Sequence, residues 1–175
     1  PHASALVARL TDDYESVRIA AMDALLSLGK ATVQCAGEDL AALIALKEDN
    51  EDGLYAMKVM LNLGEHAASH VAIIAAQLEA EDPEMRGMAC QTLGELGERS
   101  GEAAAYVDKL IAVCNDFTEE DDVRRAAFDA LVNLAGHFGP QIAATIANHL
   151  NDGHFTTRIA AARALAGLGE AAAKH

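Results

Sequence analysis

The sequence predicts an all-α fold, built from one helix–turn–helix unit written five times. Three observations predict it. A phrase recurs along the chain: "VRIAAMDALLSLG" at 17–29, "GLYAMKVMLNLG" at 53–64, "MRGMACQTLGELG" at 85–97, "VRRAAFDALVNLA" at 123–135 and "TRIAAARALAGLG" at 157–169. Each phrase follows a second apolar segment ("ASALVARL", "DLAALIALK", "HVAIIAAQL", "YVDKLIAVC", "QIAATIANHL"), and both segments space their apolar residues at the helical period. The apolar share of the 175 residues, 51%, is mostly Ala, Leu, Val and Ile; aromatics are 4%, Trp is absent and Pro numbers 3. That mixture suits helices packed closely, in one domain of ordinary size.

Aligned on their last residues, the phrases end at Gly29, Gly64, Gly97, Ala135 and Gly169, with spacings of 35, 33, 38 and 34 residues. The units therefore run at about 2–29, 36–64, 66–97, 101–135 and 139–169 of a single domain, 1–175, with helix pairs at 2–28, 36–63, 66–96, 101–134 and 139–168. In the third unit, "EDPEMRG" opens the second helix: Asp82 caps, Pro83 fits the first helical position, and Glu84 suits the positive helix end. The glycines that close four of the phrases suit left-handed C-caps. The longest spacing contains "ERSGEAAAY" and "NDFTEEDD", so insertions sit around the fourth unit.

Each column of the repeat has a physical task. Ala21, Ala56, Ala89, Ala127 and Ala161 form a column that is Ala every time, small enough for neighbouring helices to approach. Leu25, Met60, Leu93, Leu131 and Leu165 fill one core column, and Leu28, Leu63, Leu96, Leu134 and Leu168 another. A unit of this size cannot bury its apolar face alone and stacks on its neighbours.

An acidic turn, then Val-Arg, Ala-Ala, Ala-Leu and Leu-Gly, in five copies covering nearly the whole chain, resembles the HEAT repeats. The form "LGE-AA-xH" is similar to a HEAT-like subgroup related to phycobilin lyases. Tetratricopeptide repeats share the period, but their Trp and Tyr signature is missing, as is the ankyrin "TPLH". The resemblance implies a right-handed α-solenoid of five HEAT repeats. It also implies a ladder in which Arg18, Arg86, Arg124 and Arg158 pair with acidic turn residues between repeats, near Asp13, Asp49, Asp82, Asp122 and Asp152. The second repeat has Gly53 where Arg is expected, so the ladder should be interrupted there and the joint should bend or flex. The chain opens ("PHASALVARL") at the phase where it stops ("LGEAAAKH"): His2, His70 and His175 share one position of the repeat, and the segment is expected to belong to a longer array.

Several function classes are disfavoured. The formal net charge of −14 opposes nucleic acid and anionic membrane, which need clustered Lys and Arg. No apolar run approaches a membrane span. The three cysteines, Cys35, Cys90 and Cys114, give no disulfide framework, and an intracellular setting, the cytoplasm first, fits them best. "LGEHAASH" sets His66 and His70 four residues apart on one helix face, but no third ligand accompanies them. Deoxyhypusine hydroxylase, a HEAT-repeat enzyme, holds iron with His-Glu pairs; here the order is Glu65-His66. "EDNEDG" departs from the calcium loop at Glu48 and at Val59, where a bidentate Glu is required. A G-x-S-x-G elbow and a phosphate loop are both missing. No cofactor or metal is expected, and the chain is expected not to be an enzyme; a bilin lyase is the alternative that the subgroup suggests.

What remains is surface. One stripe of the second helices varies from repeat to repeat: Ile19/Asp23/Ser27, Leu54/Lys58/Asn62, Gly87/Gln91/Glu95, Arg125/Asp129/Asn133 and Ile159/Arg163/Gly167. In HEAT arrays the second helices line the concave face, so Asp23, Lys58, Asn62, Gln91, Glu95, Arg125, Asp129, Asn133 and Arg163 are the expected partner surface. The turns "TDDYES", "KEDNED", "EAEDPE", "NDFTEEDD" and "NDGHFT" form a second candidate, an acidic ridge for basic cargo. The expected function is a scaffold or adaptor binding another protein.

Overall fold

The computed structural model describes residues 2–29, 33–45, 50–100, 102–116 and 118–169. Glu48 and Asp49, as well as the chain end at His175, lie outside these residues, as do the side chains of His2, Cys35 and His66. The described residues form helices and turns, with no strand among them. In chain order the helices are α1 (His2–Val7), α2 (Glu15–Leu28), α3 (Val33–Ala45), α4 (Asn50–Leu63), α5 (Val71–Ala76), α6 (Pro83–Ser100), α7 (Val107–Asn115), α8 (Asp121–Asn148) and α9 (Phe155–Gly167). Short 3-10 stretches, Gly64–His70 and Glu102–Tyr106, precede α5 and α7. Helices α2, α4, α6, the first part of α8, and α9 carry the recurring phrase. Their partners are α1, α3, α5, α7 and the later part of α8.

Burial follows the columns. The five alanines of the all-Ala column are buried, as are Leu25, Met60, Leu93 and Leu131. Leu63, Leu96, Leu134 and Leu168 are buried too, but Leu28 is 51% exposed. It sits in the first of the five repeats.

The turns share one device. In each of four, an aspartate accepts a hydrogen bond on Oδ1 from the backbone N–H two residues on: Asp12 from Tyr14, Asp82 from Glu84, Asp116 from Thr118 and Asp152 from His154. Such a local ring holds the chain in the bend that leads into the second helix. The expected start at Asp82 and Pro83 is observed.

The helix ends depart from expectation in three places. Positive φ occurs, among the described residues, at Gly29 (62°) and Gly169 (53°) only. Gly64 instead heads a 3-10 stretch, and Gly97 lies inside α6, which runs on to Ser100. The reason at Gly97 is packing. A Cβ there would overlap the Leu134 side chain, and one on Gly94 would stand 2.7 Å from Ala130 Cα. These two glycines let α6 and α8 touch backbone to backbone. The third departure is α8, whose backbone stays helical through Gly136, Gly139 and Pro140, where a turn between two helices is expected. The fourth phrase is the one that closes on Ala135 rather than glycine, and alanine does not take the left-handed stop. Ile142, Ala143 and Ile146, all fully buried, continue the apolar face beyond it.

Three of the four column arginines pair with a carboxylate of the following repeat. Arg18 Nε donates to Asp52 Oδ1 at 2.6 Å. Arg86 holds Glu119 with two hydrogen bonds, Nε at 2.6 Å and Nη2 at 2.7 Å. Arg124 Nη2 reaches Asp152 Oδ2 at 3.2 Å, with both side chains nearly fully buried. Each pair joins one repeat to the next. Asp152 is an acid that the repeat pattern indicates, whereas Asp52 and Glu119 each lie three residues along the chain from the indicated Asp49 and Asp122. Asp122 forms an exposed pair with Arg125 instead. Among the described residues no rung joins the second repeat to the third. Gly53 occupies the arginine position, and a Cβ there would come 2.8 Å from Met85 Cε.

The same arginines also brace their own turns. Arg18, Arg86 and Arg158 each donate from Nη1 to the carbonyl six residues back, that of Asp12, Ala80 and Asp152. Arg124 reaches ten residues back, to Cys114 O. The difference of four residues is the insertion seen as the 38-residue spacing. It lies in the turn carrying "NDFTEEDD", and the guanidinium reaches across it.

Candidate protein-binding face

The expected stripe lies on the outward side of α2, α4, α6, α8 and α9. Asp23, Asn62, Gln91, Arg125, Asp129, Asn133 and Arg163 are exposed, and Lys58 and Glu95 are half-buried. None of the nine belongs to the buried core. They are lightly tied to their own helices. Asn62 Nδ2 donates to Lys58 O at 2.8 Å, Gln91 Nε2 to Glu95 Oε1 at 3.2 Å, and Arg125 pairs with Asp122. Lys58 Nζ stands 5.3 Å from the centre of the Tyr55 ring, a cation–π contact. Leu54 of the same stripe is buried, whereas Ile159 is exposed.

The charge of the stripe differs from that of the molecule. Along the chain its charged residues read Asp23, Lys58, Glu95, Arg125, Asp129 and Arg163, so the signs alternate and cancel. The excess acid of the chain is on the turns. There Asp52, Glu119 and Asp152 are consumed by the ladder. Asp13, Glu15, Glu81, Glu84, Glu120 and Asp121 stand exposed. The ridge is thus two populations, one neutralised by guanidinium groups and one left to solvent. Sequence reasoning separates the turn acids from the core but not these two populations, because turn length decides which carboxylate an arginine meets.

Titration behaviour matches the placement. The Arg86 guanidinium hydrogen-bonded to Glu119 holds its carboxyl below the ordinary value of 4.5. Burial alone would raise the Asp152 carboxyl. The His154 N–H, the Arg124 charge and the His149 hydrogen bond outweigh it, and the group is lowered. Burial pushes the Cys90 thiol up to about 12, and that of Cys114 higher still, so both stay protonated thiols within the core. His149 is buried against Phe128, with ring centres 5.2 Å apart and edge to face, and its Nδ1 is 3.6 Å from Asp152 Oδ2. His70 packs with Nε2 against Gly37, where a Cβ would come within 2.9 Å. Among the described residues no three His, Cys, Asp or Glu side chains are grouped to hold a metal ion. No described helix is long and apolar enough to cross a membrane.

No family model matches the chain, and no curated protein matches it. Solved structures share its fold. One, an engineered protein, is 19% identical, with 96% of this chain and 79% of that chain covered and a TM-score of 0.70. A second, in the complex of CpcE and CpcF of phycocyanin lyase from Nostoc, is 19% identical over 93% of this chain and 96% of that chain, TM-score 0.70. A third, a designed armadillo repeat protein in complex with the peptide (KR)4, is 15% identical over 99% and 87%, TM-score 0.68. The chain has the fold of the HEAT and armadillo repeat solenoids.

Proposed function

We propose that the chain is a non-enzymatic scaffold that binds another protein along the exposed stripe of its second helices. One observation carries this reading. The buried columns repeat the same residue types, while the exposed stripe differs in every repeat. Packing constrains the first; the second is free to match a partner. A solenoid presents such a stripe as one extended surface. The alternating signs of Asp23, Lys58, Glu95, Arg125, Asp129 and Arg163 favour a segment whose own charges alternate, since like charges brought together cost affinity.

A second reading places a basic cargo segment on the turn ridge, and the six exposed carboxylates there favour it. Affinity capture compares the two, with partners identified by mass spectrometry at low and high salt. Reversal on the stripe (Glu95→Lys with Asp129→Lys) should abolish capture if the stripe binds. Reversal on the ridge (Glu81→Lys with Glu84→Lys) should abolish it if the ridge binds. Capture that ignores both pairs would sink both readings. Stoichiometric pigment or metal in the purified chain would replace the scaffold with an enzyme, the alternative that the likeness to the lyase complex keeps in view.

A further inference from the structure

The exposed stripe is three lanes wide, and the lanes differ in kind. Each lane crosses the second helices, and neighbouring lanes stand about one helical turn apart. The lane nearest the inter-helix turns reads Ile19, Leu54, Gly87, Arg125 and Ile159. It is apolar but for Arg125, whose charge is answered by Asp122 at 3.0 Å. The lane farthest from those turns reads Ser27, Asn62, Glu95, Asn133 and Gly167. Three of its side chains are tied to their own helices. Ser27 Oγ donates to Asp23 O and Asn62 Nδ2 to Lys58 O, both at 2.8 Å, and Glu95 accepts from Gln91. Between the two runs a lane of Asp23, Lys58, Gln91, Asp129 and Arg163. Four of these are exposed and Lys58 is half-buried. Along the solenoid its signs are minus, plus, none, minus, plus.

The lanes run on from helix to helix. A Cβ on Gly87 would stand 3.9 Å from Val123 Cγ2, and one on Gly94 would stand 3.4 Å from Asn133 Nδ2, so α6 and α8 lie side by side along the length of the stripe. Packed helices are about 8–10 Å apart. A chain in the extended polyproline form rises about 3.1 Å per residue and turns once in three, so every third side chain returns to the same side about 9 Å further on. One repeat of the solenoid thus matches three residues of such a chain laid across the second helices. A helical partner fits less well. Its side chains return after a heptad of about 10.5 Å, which overshoots the close approach of α6 and α8 at Gly94 and Ala130.

Taking the stripe as the partner face, a premise carried over from the proposed function, we propose that the segment bound there is an extended peptide that sets every third side chain on the central lane, in the order basic, acidic, uncharged, basic, acidic. The basic residues face Asp23 and Asp129, the acidic ones Lys58 and Arg163, and the uncharged one Gln91. The lane sums to zero charge, so order selects the partner and total charge does not. A segment of the same composition with its charges grouped meets as many like charges as opposite ones and gains nothing. Read from the fifth repeat, the lane is plus, minus, none, plus, minus. A segment running the other way therefore begins with its acid, and the order of its charges fixes its direction.

Fluorescence anisotropy with labelled synthetic peptides tests the proposal. Each peptide carries two lysines, two glutamates and a central serine at every third position, with proline and serine between them to favour the extended form. Of the two ordered peptides, lysine first or glutamate first, one should bind at least about tenfold more tightly than the peptide with both lysines ahead of both glutamates. Its affinity should fall as salt rises. The same charges set at every fourth residue should bind as weakly as the grouped peptide. Lys58→Glu should cost the ordered peptide about tenfold, and replacing the peptide glutamate that faces it with lysine should restore the affinity. Asp129→Lys should behave likewise, with restoration by glutamate in place of the facing lysine. Equal binding of ordered and grouped peptides, both weakened by Asp129→Lys, would overturn the order and leave the stripe as the binding face. Equal affinity at the fourth-residue spacing would overturn the extended form. An ordered peptide indifferent to both variants would sink the stripe as well. Failure of either ordered peptide to bind, with partner capture still lost in Glu95→Lys with Asp129→Lys, would overturn the order alone.

Discussion

At the scale of single residues, two side chains report on how the joints are made. Thr157 is buried and its hydroxyl finds no hydrogen-bond partner among the described residues. The equivalent positions in the first and fourth repeats are Val17 and Val123. A buried polar group left unpaired costs about 1–3 kcal/mol, and valine has nearly the same shape. Thr157→Val should therefore stabilise the chain by about 1 kcal/mol, read as a raised urea midpoint at unchanged slope. Glu119 makes the opposite case. Its folded pKa is depressed by Arg86, so the stability it contributes is present above the ordinary glutamate value of 4.5 and is lost as the pH falls through the lower folded value. Glu119→Gln should accordingly be less stable than wild type at pH 7, by about 1–3 kcal/mol. The gap should narrow as the pH drops below 4.5. A gap constant down to pH 3 would mean that the pair adds nothing beyond shape.

Elements show which local signals were sufficient and which were overruled. The helix pairs, the all-Ala column and the arginine column were legible because burial recurs at one phase, and that phase survives every substitution between repeats. Ends were less legible, because a glycine has two uses that look alike in sequence. Gly29 takes a positive φ and stops α2, whereas Gly97 keeps α6 helical and makes room for Leu134. Only the neighbouring helix distinguishes them. The stripe residues were placed outward by periodicity alone, but which turn acid meets Arg18 or Arg86 depended on turn geometry that no spacing encodes. Gly94 is the sharpest test of the packing use. Alanine improves intrinsic helix propensity by about 1 kcal/mol, and on an exposed face that gain would appear as stability. Here the added methyl meets Ala130 Cα at 2.7 Å, a backbone atom that cannot swing aside. Gly94→Ala should therefore destabilise by about 1–3 kcal/mol in spite of its propensity. Gly153→Ala, with nothing within 4 Å of the new Cβ, should stay within about 0.5 kcal/mol of wild type.

At the scale of the whole molecule, the ladder is a line of guanidinium–carboxylate rungs, with none among the described residues between the second and third repeats. The repeat pattern indicates Asp82 as the acid for the missing rung. Its Oδ1 accepts from the Glu84 N–H at 3.0 Å, as that of Asp152 does from His154. Gly53 stands where the arginine would be, inside α4. Replacing it has two favourable effects and one cost. Arginine is a better helix former than glycine by about 0.8 kcal/mol, and a half-buried rung adds about 0.5–1 kcal/mol. Against these, the new Cβ would press on Met85 Cε at 2.8 Å, the far end of a flexible side chain that can turn away. Gly53→Arg should then raise stability by about 1 kcal/mol net. A double-mutant cycle with Asp82→Asn isolates the rung, and a coupling of about 0.5–1 kcal/mol is expected. Zero coupling would mean that Asp82 serves its own turn alone. In that case the interruption at Gly53 marks a joint of different geometry from the other three, rather than the same joint with one side chain removed.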